Sequence, residues 1–176
     1  PVMLMTNYEA KRVAFRHLSE GSSVLTANPS LLTFYNMQLL GNIGKFYNIE
    51  KNWNNKGLVQ PYSVAFLDSI QVQLDSLSES DSCIQNALIL SNLTEQASQA
   101  TLANNNFYSS LTDQELADLG QIIPDNAIEQ NMKKLYQIYF STIAKDNLAL
   151  TGAQMNELVE IANMCPLLEG PLVHVA

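Results

Sequence analysis

A chain of 176 residues with 47% hydrophobic and 15% charged side chains is long enough for a packed core and too apolar to remain disordered. Its net charge of −8 is uneven: residues 1–60 carry six Lys or Arg against three acids, whereas the interval between Lys56 and Lys133 holds ten Asp or Glu and no Lys or Arg. Such an acidic block repels phosphate backbones and argues against a nucleic-acid partner, and the lack of any apolar run of eighteen residues excludes a membrane-spanning helix.

The elements predicted in chain order are helical. Thr6 or Asn7 caps a first helix to about Leu18, with Ala10, Val13, Ala14 and Leu18 on its apolar face and Gly21 beyond its end. Asn28-Pro29 is a capping residue followed by proline at the first helical position, where its missing N–H costs nothing. The helix it opens shows Leu32, Tyr35, Leu39, Ile43 and Phe46 at spacings of three and four, with Gly41 and Gly44 marking a kink or a close approach. Residues 48–57 read as a polar loop or frayed end containing Trp53.

Pro61 restarts the pattern, and Phe66, Leu67, Ile70, Leu74 and Leu77 share one helical face. After a turn or cap at 78–81, a fourth helix carries Ala87, Leu90, Leu93, Ala97 and Ala100 and is expected to break at Asn104-Asn105-Asn106. Thr112 and Glu115 then form a capping box that opens a short helix ending at Gly120. Asp125 or Asn126 caps the clearest helix, with Ile128, Met132, Leu135, Tyr139 and Ile143 as its stripe and Lys133 and Lys134 outward. Thr151 and Gln154 make a second capping box, opening a helix with Met155, Leu158, Val159 and Ala162; Gly170-Pro171 would start another. Seven helices with short loops imply an all-α domain over residues 1–176, built of stacked antiparallel hairpins as a bundle or a short α-solenoid.

Site chemistry is sparse. Cys83 and Cys165 are 82 positions apart, which makes neither a disulfide framework nor a zinc site; they read as small buried hydrophobes or as one long-range bridge. His174 lies nine residues after Cys165, a spacing that invites a Cys–His dyad but is better read as structural, and His17 sits beside the apolar face of the first helix. The carboxylate pairs Asp113/Glu115 and Glu157/Glu160 are explained as helix N-terminal acids and an exposed face. No catalytic residue, metal ligand or cofactor site is expected.

The last sixteen residues carry the chain's most specific signal. Ile161-Ala162-Asn163-Met164-Cys165-Pro166, followed by Gly170, Val173 and His174, resembles a helix-end segment of large secreted Bacteroidota proteins exported by the type IX secretion system. In those proteins two glycines, Ala-Val and a second helix follow the Cys-Pro. Here Glu169 replaces the first glycine, Leu172 the alanine and His174 a usual tyrosine. The resemblance extends diffusely to 128–140 and to Asn28-Pro29. It implies an extracellular or cell-surface location and a chain that is an excerpt of a longer protein. Asp68-Ser69-Ile70 and Asp75-Ser76-Leu77 are similar to the tripeptide at which such bacteria attach O-glycans, and their spacing of seven puts Ser69 and Ser76 on one helix face.

These readings lead to a non-catalytic structural or interaction module, a spacer, scaffold or adhesin part whose partner is protein, with no membrane insertion. One alternative is a helical-hairpin array that holds a peptide or partner helix in a groove around Trp53, Tyr35, Tyr47 and Tyr62. A secreted hydrolase is the other, and it requires two facing carboxylates or Cys165 near His174.

Overall fold

The computed structural model describes residues 2–21, 23–78 and 83–165, and among them the protein is all-α, with no strand. The helices are α1 (Val2–Glu20), α2 (Ser23–Ala27), α3 (Pro29–Leu40), α4 (Asn42–Asn54), α5 (Lys56–Val59), α6 (Val64–Ser78), α7 (Cys83–Gly120), α8 (Ala127–Ser141) and α9 (Gly152–Ala162), with a 3₁₀ turn at Ile143–Lys145 after α8. They fall into two compact units, one of Pro1–Asn52 with Thr112–Ala176 and the other of Trp53–Leu111.

The first unit has the thicker core. Phe15 and Leu18 of α1, Ile43, Phe46 and Ile49 of α4, Leu119 at the end of α7, and Ile128, Met132, Leu135 and Ile138 of α8 are all buried, and Ile161 adds α9 to them. Each fully covered phenylalanine stabilises the unit by about 2–3 kcal/mol relative to an exposed one. α1 is longer than the capping residues suggested, and its buried face is Tyr8, Phe15 and Leu18 rather than Ala10, Val13 and Ala14, which are exposed. The two aromatic rings remove far more apolar surface from water than two alanines and a valine, so they set the helix's rotation.

Local chemistry fixes several helix ends as expected. Asn28 accepts from the N–H groups of Ser30 and Leu31 with Pro29 at the first helical position, and Asn126 accepts from the Glu129 N–H. Thr151 and Gln154 complete a reciprocal capping box at α9. The helix begun at Asn28, however, breaks fully at Gly41, and α4 continues through 48–54, where a loop was expected. The stripe predicted across both helices splits accordingly: Ile43 and Phe46 are buried, whereas Leu32 and Leu39 of α3 are exposed. On α9 the buried position is Ile161, and Met155, Val159 and Ala162 face water. Lys133 is half-buried, its amine donating to the Ile122 carbonyl at 2.7 Å, a cation placed just beyond the last carbonyls of α7.

α7 departs most from expectation. It runs unbroken for 38 residues, roughly 57 Å, through both the asparagine run and the predicted capping box. Asparagine costs only a few tenths of a kcal/mol per helical position, and neither Gly nor Pro interrupts the segment before Gly120. Thr112 and Glu115, read as a helix start, are therefore interior positions, and both are buried.

In the second unit Ile70 of α6 and Leu93 and Ala100 of α7 are the buried apolar side chains, while Phe66, Leu67, Leu74 and Leu77 are half-buried on the same face of α6, as predicted. Val72 is exposed, which fits the helical reading of 70–74 over a strand. Asn104 explains why the asparagine run does not end the helix. It is buried, accepts from the Tyr62 N–H at 3.0 Å and donates to the Tyr62 carbonyl at 2.9 Å, serving both backbone groups of the turn that precedes α6. Tyr108, one turn on, donates to the Gln60 side chain. Asn104→Ala is expected to destabilise this unit by about 2 kcal/mol, since it leaves two peptide groups without partners. Urea unfolding together with hydrogen exchange of the α6 amides measures this, and an unchanged exchange pattern contradicts it.

Candidate functional site

The chain has two arginines, Arg12 and Arg16, one turn apart on α1, and both reach the same carboxylate. Burial of Tyr8, Phe15 and Leu18 against the core sets the rotation of α1 and brings the two guanidinium groups to its flank. Burial of Ile43, Phe46 and Ile49 does the same for α4 and presents Glu50 to them. Arg12 donates to Glu50 Oε1 at 3.0 Å and Arg16 to Oε2 at 2.6 Å. Tyr136 of α8 donates its hydroxyl to Oε1 at 2.6 Å. Glu9, one turn before Arg12, accepts from its other terminal nitrogen at 3.2 and 3.3 Å.

Burial works against the charged form of Arg12, but Glu50 and then Glu9 outweigh it and hold its pKa above the ordinary value. The Tyr136 phenol is raised by burial first, then by the Glu50 charge and the hydrogen bond to it, so it stays a donor at any ordinary pH. Beside this cluster lies a cleft of about 240 Å³, whose walls include Phe15, His17, Ile43 and Tyr47. Two carboxylates lie in that cleft, yet each is engaged: Glu9 takes both its bonds from Arg12, and Glu50 accepts from three donors. The arrangement holds α1, α4 and α8 in register, and its charges cancel internally.

A second polar cluster sits at the α8 start. Glu129 is buried and accepts at one oxygen from the Asp125 N–H at 2.8 Å and from the Asn42 side chain at 2.6 Å; Asn42 also donates to the Ile123 carbonyl at 2.8 Å. This ties the first residue of α4 to the turn between α7 and α8. Burial, then the charge of Glu129, raises the nearby Tyr8 phenol.

The residues singled out from sequence fall as follows. Ser69 and Ser76 are exposed on α6, two turns apart, with hydroxyls donating to the Phe66 and Gln73 carbonyls of their own helix. Tyr35 and Tyr47 belong to the first unit, where both pack on Phe15, one stacked at 5.2 Å and one edge-on at 5.5 Å. Trp53 and Tyr62 belong to the second unit. There Trp53 is half-buried with the Lys56 amine 4.1 Å over its ring, and Tyr62 packs on Phe66. Asp113 and Glu115 are not a pair: Asp113 is exposed and bonded to Lys145 at 2.6 Å, and Glu115 is buried. Cys165, three residues past the end of α9, is an exposed free thiol rather than a buried hydrophobe or a bridge partner, and the side chain of Cys83 lies outside what the structure describes. His174, the Gly170-Pro171 helix start and the turn at 79–81 lie outside the described residues. Among the described residues no group of three or more His, Cys, Asp or Glu gathers as metal ligands do, and no helix is long and apolar enough to cross a membrane.

The sequence reading passed over Glu50, Tyr136, Asn42 and Glu129. One signal was present: a chain poor in arginine places both of its arginines at i and i+4 beside an apolar stripe. Compared with family models, with curated proteins and with solved structures, the chain matches none.

Proposed function

We propose that the chain is a non-catalytic structural and interaction module of a secreted or cell-surface bacterial protein, working as a spacer, scaffold or adhesin part. The observation that carries this reading is an apolar helix covered on one side only, where Tyr35 stacks on Phe15. α3 contains Leu31, Leu32, Phe34, Tyr35, Met37, Leu39 and Leu40 and buries none of its residues. Met37 is 66% and Leu40 82% exposed. Apolar side chains gathered on one exposed helix mark a surface that meets protein. The partner is either further chain of the same polypeptide or a separate surface protein. Charges that cancel within the Glu9–Arg12–Glu50–Arg16 cluster fit a scaffold better than a paired-carboxylate hydrolase, which needs carboxyl groups free to move a proton.

The surface location rests on the similarity of Ile161 to His174 to exported Bacteroidota proteins and on the amide-rich composition, with 18 Asn against nine Lys and Arg. Exposed Ser69 and Ser76 on one face of α6 suit O-glycan attachment. Peptide mass spectrometry on protein from its native source tests this. Hexose-type mass on the peptides holding Ser69 and Ser76, with peptides continuing past Ala176, is the expected result. An unmodified chain ending at Ala176 overturns the export reading.

A further inference from the structure

Near its C-terminal end α7 carries a carboxylic acid in a position that otherwise takes a hydrocarbon. Glu115 has no exposed surface, and neither of its side-chain oxygens has a hydrogen-bond partner. Thr112, one turn before it, and Leu119, one turn after, are equally covered, so this side of α7 faces the interior from 112 to 119. From α4 the carboxyl meets Asn52, an uncharged amide that favours the ionised form without reaching hydrogen-bond geometry. From its own helix it meets Asp118, a like charge. No cation is among the groups that act on this carboxyl, and three lysines of neighbouring segments are engaged elsewhere: Lys145 on Asp113 at 2.6 Å, Lys133 on the Ile122 carbonyl, and Lys51 of α4 over the Tyr47 ring. A buried carboxylate with no cation and no donor is among the costliest groups a core can hold.

We propose that Glu115 is a proton-dependent latch on the end of α7: protonated, it stays inside the first unit, and ionised, it drives residues 112–120 toward water. Burial pushes its carboxyl up from 4.5 to about 7; the Asn52 amide pulls the other way, and Asp118 adds a smaller push. The folded pKa therefore lies above the unfolded one, and the native state holds the proton more tightly. The latch contributes its full stability below about pH 4.5 and loses it as pH rises toward and through about 7. Across that window the opening of 112–120 grows on the order of a hundredfold.

Hydrogen exchange of the full chain, corrected for intrinsic rates and read at peptides covering 112–120, tests the latch in wild type and Glu115→Gln. In wild type, protection is expected to fall on the order of a hundredfold between about pH 4.5 and about pH 8, and in Glu115→Gln to change several-fold less. Carbon NMR of glutamate side-chain carboxyls in wild type adds a reading that needs no variant, with one carboxyl titrating near neutrality. An equal pH response in both proteins, or glutamate carboxyls that all titrate in the ordinary range, overturns the proposal. Should Glu115→Gln fail to fold, the wild-type titration alone decides.

Discussion

Gly44→Ala is expected to destabilise the first unit by about 3–4 kcal/mol. A Cβ at this position would lie 2.5 Å from the Leu39 carbonyl oxygen, 2.6 Å from that of Gln38 and 2.7 Å from the Leu39 Cα. All three are backbone atoms at the end of α3, so no side chain can swing aside to admit the methyl group. Relief would require α3 and α4 to move apart at the corner. That movement would strain the seating of Ile43 and Phe46, which are 7% and 1% exposed. Gly41 is the internal control. A Cβ there meets its closest neighbour, the Met37 carbonyl oxygen, at 3.4 Å, and the backbone is extended with φ −86°. Gly41→Ala is expected to cost under about 1 kcal/mol. Urea unfolding followed by circular dichroism compares the two; equal losses would mean that the close approach at Gly44 is not what the glycine is for.

The same corner shows where sequence reading works and where it stops. Two glycines three apart within an apolar pattern signal a kink or a close approach, and the structure uses them for both: the chain breaks at Gly41 and presses its backbone together at Gly44. Helix starts at Asn28, Asn126 and Thr151 were legible because a cap is a contact between neighbours in sequence. The box at Thr112 and Glu115 has the same kind of pattern as Thr151 and Gln154 and no cap, because upstream positions such as Asn104 and Phe107 keep the helical period and Asn104 is bonded to the Tyr62 backbone from within the helix. A local signal cannot report that its own residues will be buried.

The rotation of α1 failed on size, since alanines at the right spacing lose to two aromatic rings on an adjacent face of the helix. The charged cluster failed on distance. Arg12 and Glu50 are 38 positions apart, and Tyr136 and Glu50 are 86 apart, so the composition names the arginines while only the fold supplies their partner.

That partner carries the other large effect. Glu50→Ala is expected to cost about 3 kcal/mol, because it removes the one acceptor shared by three donors on two other helices. Arg12, with its side chain 18% exposed, would keep only Glu9, and the Tyr136 hydroxyl would lose the acceptor it has at 2.6 Å. The two arginines differ in what they lose. The Arg16 side chain is 53% exposed, so water replaces its bond to Glu50 at little cost, and Arg16→Ala is expected to lose under about 1 kcal/mol. Arg12→Ala leaves Glu9 and Glu50 facing each other without the guanidinium between them, and its loss should approach that of Glu50→Ala. Glu50→Gln separates charge from shape: it retains an acceptor for Tyr136 but sets an uncharged amide against two guanidinium groups, and it should fall between. A double-mutant cycle between Arg12 and Glu50, read from urea midpoints, is expected to give a coupling of about 1.5–3 kcal/mol. Additive losses would show that α1, α4 and α8 are held together by the apolar core alone and that the charged cluster merely accompanies it.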